Sequence, residues 1–277
     1  MHQELRLRII SGLILAILVL GATWFGGLAF SVLSALIGLL IYYEWSTITR
    51  MRTEQPVANA VGWIGQIAIA VAVVAGTVGY SLILLILFLA IAVGFVALRN
   101  TSRWFPAGTV YAGLTGIALS GIRGADTLGL YAMLFVFAVV WATDILAYFV
   151  GRAIGGPKLA PKISPGKTWS GAIGGAVSAV VAGSLVAYLA FPESVLLAAP
   201  IAFILSVCSQ IGDLFESFIK RRFGVKDSSR LIPGHGGVMD RVDGLIFACF
   251  AAFLLAGLFS LIKGGEATSL GAALFGV

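Results

Sequence analysis

Charge is scarce in this chain. Of its 277 residues 11% are charged and 60% are hydrophobic, and the mean hydropathy is +1.04. That balance excludes an ordinary soluble domain, whose apolar share is nearer half. Cysteine is scarcer still. Cys208 and Cys249 both lie inside apolar runs, which reads as buried packing and rules out a disulfide framework. No segment recurs at a period of 20–50 residues and no inverted halves are visible, which argues against solenoids and repeat-built transporters. The apolar runs also lack the alternation of barrel strands. Helices remain, because backbone groups in lipid must be satisfied within their own segment.

The runs are long enough to span, since about 20 residues cross a hydrocarbon core roughly 30 Å thick. Nine candidate spans lie at 8–24, 26–48, 60–79, 81–98, 106–122, 128–150, 170–191, 195–217 and 241–262. The first two form a tight hairpin around Gly26 and Gly27; the fifth is short and glycine-rich. The start MHQELRLR has signal-like charge, but its apolar run passes the usual length and ends at no small-x-small site, so it reads as an uncleaved first span. With the N-terminus in the cytosol, alternation through nine spans puts all but Arg123 and Lys263 of the eighteen basic residues on the cytosolic side. The expectation is an all-α polytopic membrane protein of about nine helices, with the C-terminus on the opposite side. It reads as one embedded unit, with N-terminal helices over 1–125 and C-terminal helices with catalytic loops over 126–277. Basic residues beside spans account for the net charge of +6, so nucleic acid is not an expected partner. Gly171, Gly174, Gly175 and Ala179 read as a small-residue stripe for close helix packing.

Two loops on the predicted cytosolic face carry the chemistry. In one, Asp213, Glu216, Ser217 and Lys220 share a face at the end of the eighth span, and Asp240 and Asp243 lie three apart at the start of the ninth. Such carboxylates suit a hard cation such as Mg²⁺ together with phosphate oxygens. The plainer alternative has Asp240 capping its helix and Asp213 pairing with Lys220 or Arg241. Between them lie Lys220, Arg221, Arg222, Lys226 and Arg230, then a glycine-rich turn carrying His235. The other loop holds Lys158, Lys162, Ser164, Lys167 and Thr168 in a proline-stiffened stretch suited to gripping phosphate. Its GKT is no Walker motif, because Pro161 stands where that pattern needs glycine and no strand is expected before it. Upstream, Asp144 and Tyr148 share a helix face, where Arg152 or a metal would pair the acid. His2 and Glu44 have no supporting cluster and read as structural.

Ser217, Lys220, Arg221, Lys226, Asp227, Ser229, Pro233, His235, Gly236, Gly237, Asp240, Arg241 and Asp243 together resemble the signature of phosphatidate cytidylyltransferases. Asp144, Tyr148, Gly151, Arg152, Ser164, Pro165, Lys167 and Thr168 resemble the family's second block. Ser170 departs from it, standing where many members carry Glu. The resemblance implies condensation of CTP with phosphatidic acid to CDP-diacylglycerol and pyrophosphate, a step of phospholipid biosynthesis, at a bacterial inner membrane with the site facing the cytoplasm. It further implies Mg²⁺, with a second cation left open, held by Asp213, Asp240, Asp243 and Asp144. Catalytic roles are expected for Ser217, Lys220, Asp240 and His235. Substrate contacts are expected from Arg152, Ser164, Lys167, Thr168, Lys226, Asp227, Arg230 and Arg241. Membrane lipids are expected partners, and a homodimer is left open. Two rivals are a CTP-dependent polyisoprenol kinase and a secondary transporter of an anionic solute. The transporter fits poorly, because its charges would sit near the midplane.

Overall fold

A computed structural model describes residues 2–264 and 269–276, with side chains given from Ile9 onward. Among the described residues, eight helices are long and apolar enough to cross a membrane, and a shorter apolar helix covers Ile9–Phe25. The all-α polytopic expectation therefore holds. In chain order the helices are α1 (His2–Phe25), α2 (Gly27–Ile48), a single turn α3 (Met51–Glu54), α4 (Pro56–Val74), α5 (Val78–Arg99), α6 (Trp104–Arg123), α7 (Thr127–Ile154), α8 (Trp169–Ala190), α9 (Val195–Arg222), α10 (Met239–Ile262) and a short α11 (Leu270–Phe275). Strands β1 (Lys158–Ala160) and β2 (Ser164–Thr168) form an antiparallel hairpin between α7 and α8. The chain divides into two compact units, one of residues 1–125 and 222–241, the other of 126–221 and 242–277.

In the first unit α6 packs against α2, α4 and α5. It is the least apolar and most buried of the eight spanning helices. Small residues explain both properties. A Cβ on Gly38 would lie 3.0 Å from the carbonyl of Ala112, and one on Gly116 3.3 Å from that of Ser34, so the α2 and α6 backbones meet closely. Polar groups lock the contact: Ser31 and Ser120 hydroxyls lie 2.9 Å apart, and Trp45 Nε1 donates to Trp104 O at 2.9 Å. Buried Arg123 donates from Nε to Thr23 O at 2.5 Å, capping the last turn of α1.

In the second unit α7 and α8 share the closest contact, through the expected stripe. A Cβ on Gly171 would sit 2.6 Å from Ala147 O and one on Gly175 2.7 Å from Thr143 O, and Ala179 is fully buried. α9 and α10 approach through Gly212, whose Cβ would lie 2.6 Å from Asp243 O. Outside the expected spans, α11 buries Phe275 against Phe135 and Phe191, ring centroids 5.3 and 5.0 Å away. The proline-stiffened stretch is a hairpin rather than a loop. Its turn is closed by Ile163 N donating to Ala160 O at 3.1 Å, and Gly166, Lys167 and Thr168 lie within β2 rather than after a strand, so no phosphate loop arises.

Candidate active site

Helix spacing and close packing build the site in the second unit. Asp144, Tyr148 and Arg152 fall four residues apart on α7 and share a face. Gln210 and Asp213 lie three apart on α9, and Asp243 is brought to α9 by the contact at Gly212. Side-chain bonds hold the helices in register. Thr143 and Ser206 hydroxyls lie 2.7 Å apart between α7 and α9, and Gln210 Nε2 donates to Ala172 O at 3.2 Å between α9 and α8. The result is a cavity of about 740 Å³ lined by Asp144, Tyr148 and Arg152 from α7, by Lys158, Ser164, Lys167 and Thr168 from the hairpin, and by Gln210, Asp213 and Asp243.

Lys167 donates to Asp213 Oδ2, so the hairpin lysine is a partner of Asp213. Arg152 turns to Tyr148, its Nη1 donating to the phenol at 2.9 Å. Thr168 lines the cavity and also caps α8, its Oγ1 accepting from Gly171 N at 3.1 Å. Ser170 donates to Gly155 O and lies 3.0 Å from the Thr168 hydroxyl. It therefore braces the turn after α7.

The next turns of α9 carry Glu216, Ser217 and Lys220. Glu216 is buried and accepts from Lys220 Nζ at 2.7 Å. Ser217 Oγ reaches Asp213 Oδ1 only at 3.5 Å, and neither Ser217 nor Lys220 lines the cavity.

In the first unit, the loop before α10 is organised by two carboxylates. Asp240 Oδ2 accepts from Ser228 N, Ser228 Oγ and Gly237 N, each at 2.8 Å. This reach back by three residues resembles the acid of a capping box. Glu44, fully buried, accepts from Val238 N at 2.8 Å and Met239 N at 2.7 Å, satisfying the orphan donors that open α10. It also takes the hydroxyls of Ser228 at 3.0 Å and Ser229 at 2.6 Å. Glu44 is structural, as expected, but it sits in a dense cluster rather than alone. His235 Nδ1 lies 2.9 Å from Ser11 Oγ, and its ring lies beside Gly12, tying the loop to α1. Lys226, Asp227, Arg230 and Arg241 are exposed.

The cavity thus gathers Asp144, Asp213 and Asp243 with Arg152, Ser164, Lys167 and Thr168, while Asp240 is engaged within its own unit. Among the described residues, no three acidic, histidine or cysteine side chains are close enough to hold a metal ion by themselves. The donor chemistry, carboxylate oxygens only, suits a hard cation that takes its remaining ligands from phosphate and water.

Residues 6–259 match the sequence profile of the Cytidylyltransferase family. The chain belongs to the cytidylyltransferase family. A phosphatidate cytidylyltransferase of Brucella abortus (strain 2308) is 45% identical over 259 residues, 93% of this chain and 95% of the relative. That of Bacillus subtilis (strain 168) is 33% identical over 93% of this chain and 99% of its own length. A Haemophilus influenzae protein of the same name is 49% identical over 139 residues, 46% of this chain and 48% of its own length. In this cytidylyltransferase Gln210 is the residue that sequence reasoning missed, and for Glu44 it missed the cluster of donors. Gln210 had a legible signal, an amide three residues before Asp213 in an apolar span.

Proposed function

We propose that this protein transfers the cytidylyl group of CTP to phosphatidic acid in a bacterial inner membrane, releasing pyrophosphate, with its cavity open to the cytoplasm. An oxygen of the lipid phosphate attacks the α-phosphorus of CTP, and the bond from that phosphorus to the bridging oxygen of the β-phosphate breaks. A phosphomonoester has a second pKa near 6 and is mostly dianionic at neutral pH, so this nucleophile needs no general base. That removes the need for Ser217 or His235 as base or nucleophile.

Electrostatics set the remaining requirement. Two anionic substrates must meet in a cavity that already holds three carboxylates. Lys158 and Lys167 of the hairpin and Arg152 of α7 supply positive charge to its lining. Lys167 and Arg152 are each held by a side-chain partner, Asp213 and Tyr148, that keeps them aimed at the cavity. Those three carboxylates beside phosphates would repel them unless a cation intervenes. Asp213, with Asp144 and Asp243, would hold Mg²⁺. When bound, the ion offsets phosphate charge and polarises the phosphoryl group under attack.

The observation carrying this reading is the joint lining of one cavity by Asp144, Asp213, Asp243 and Lys167 in a chain matched by the family over nearly its whole length. The cytoplasmic placement is supported by the distribution of basic residues. The test uses purified protein, phosphatidate and CTP labelled at either the α- or the γ-phosphate. Label from the α position in lipid, with pyrophosphate released, is the expected result. Label from the γ position alone would make the protein a lipid kinase.

A further inference from the structure

An apolar groove of about 580 Å³ lies against α8 and α9 in the second unit. Both walls are stripes at four-residue spacing, Ile173, Val177 and Val181 on α8 and Phe203, Val207 and Ile211 on α9. Its floor is small: Ala172, Ala176 and Val180 follow the same spacing on α8, and Ala176 is buried. Small floor residues between larger walls give the groove depth that an ordinary lipid-facing surface lacks.

Two observations point to an occupant. Leu159, Ala172 and Gln210 line both this groove and the polar cavity, so the two adjoin along these residues. The amide of Gln210 at the junction donates to Ala172 O at 3.2 Å, so a chain passing it leaves that donor satisfied. The lined stretch of α8, from Trp169 to Val181, is about 18 Å long at 1.5 Å per residue. One leaflet of hydrocarbon is about 15 Å deep, half of a roughly 30 Å core. A ligand with a phosphate at one end and a leaflet-length hydrocarbon at the other matches the pair of spaces.

We propose that the groove between α8 and α9 holds one acyl chain of the phosphatidate whose head group occupies the polar cavity, and that Ala176 and Val207 set how much chain it accepts. The proposal rests on the cytidylyl-transfer reading. Seating the chain here holds the lipid phosphate at the cavity during transfer; lipid tails are as apolar as the groove walls, so the gain is packing and position rather than transfer out of water.

The test compares dioleoyl with dihexanoyl phosphatidate in mixed micelles, using wild type, Ala176→Phe and Val207→Trp. Each bulky side chain should overpack the groove against a seated chain, raising the KM for dioleoyl phosphatidate about tenfold. The KM values for dihexanoyl phosphatidate and for CTP should stay as in wild type, which also shows that the variants are folded. Leu185→Trp, on the exposed part of α8 beyond the groove, should change nothing. An equal change for both lipids, or none for dioleoyl, overturns the groove. A phosphatidate bearing a mid-chain diazirine gives a readout independent of turnover. Its label should fall on α8 and α9 wall residues and be competed by dioleoyl phosphatidate but not by phosphatidylcholine. Label scattered over other lipid-facing helices, or a Val177→Cys variant that crosslinks to a second copy and takes no label, also overturns it. If wild type converts neither lipid, the transfer reading itself falls; if it converts both but labels elsewhere, only the groove falls.

Discussion

Replacing Glu44 by alanine would remove, from a position with no exposure, the acceptor of four hydrogen bonds. Two of the donors, the Ser228 and Ser229 hydroxyls, can rotate toward other acceptors. The other two, Val238 N and Met239 N, are fixed in the opening turn of α10. Each buried donor left unmade costs about 1–3 kcal/mol, so the pair costs about 2–6 kcal/mol. Loss of a carboxylate from the helix N-terminus adds about 0.3–1 kcal/mol. Glutamine keeps one oxygen in place and turns its amide toward the other N–H, so Glu44→Gln should cost about half as much. Lys226 and Arg230 are exposed in the loop that Glu44 anchors, and trypsin in detergent reports its opening. Cleavage that follows the open population rises about tenfold for each 1.4 kcal/mol. Glu44→Gln should therefore be cut there roughly tenfold faster than wild type, and Glu44→Ala roughly a hundredfold or more. Wild-type rates in Glu44→Ala, or glutamine and alanine variants cut equally fast, would refute this account of the loop.

Asp213→Asn and Asp144→Asn should each lower CDP-diacylglycerol formation by at least about 10²-fold at normal yield in membranes. Near-normal turnover in both would take the cavity out of the reaction. Chelation with EDTA should abolish transfer and added Mg²⁺ restore it; full activity in excess EDTA would remove the metal from the proposal. Gly175→Val should lower the melting temperature in detergent, because even a Cβ there lies 2.7 Å from Thr143 O and overpacking costs about 1–3 kcal/mol; an unchanged melt would contradict the close α7–α8 contact. Lys220→Met should act on stability, removing the ammonium from buried Glu216, a loss of about 3–5 kcal/mol, whereas Lys167→Met should raise the KM for CTP; the reverse pattern would exchange their roles.

The spans were legible because a run of about 20 apolar residues has few other uses, and the α7–α8 stripe because small residues at helical spacing have a packing meaning. The acids of the cavity were legible for a related reason: Asp144, Asp213 and Asp243 stand at the ends of greasy helices where charge is costly. What could not be read was partnership across long separations. Glu44 meets its partners 184–195 residues downstream, and nothing near it in sequence announces them. Asp240 offered two readings because a capping acid and a metal ligand look alike in sequence, and its contacts with Ser228 and Gly237 could not be read there. The hairpin was hidden because strands of three and five residues containing Pro165 and Gly166 carry almost no strand signal. α11 was hidden because six residues are too few to show a period.

Helix α6 is enclosed by α2, α4 and α5, all of which precede it in the chain. A segment rich in glycine and hydroxyl groups gains little from lipid alone, yet by the time it leaves the ribosome its neighbours have already been made. Its entry into the bilayer should therefore depend on them, as protein docking onto protein. A rearranged chain that places α6 ahead of α2 should leave it outside the membrane.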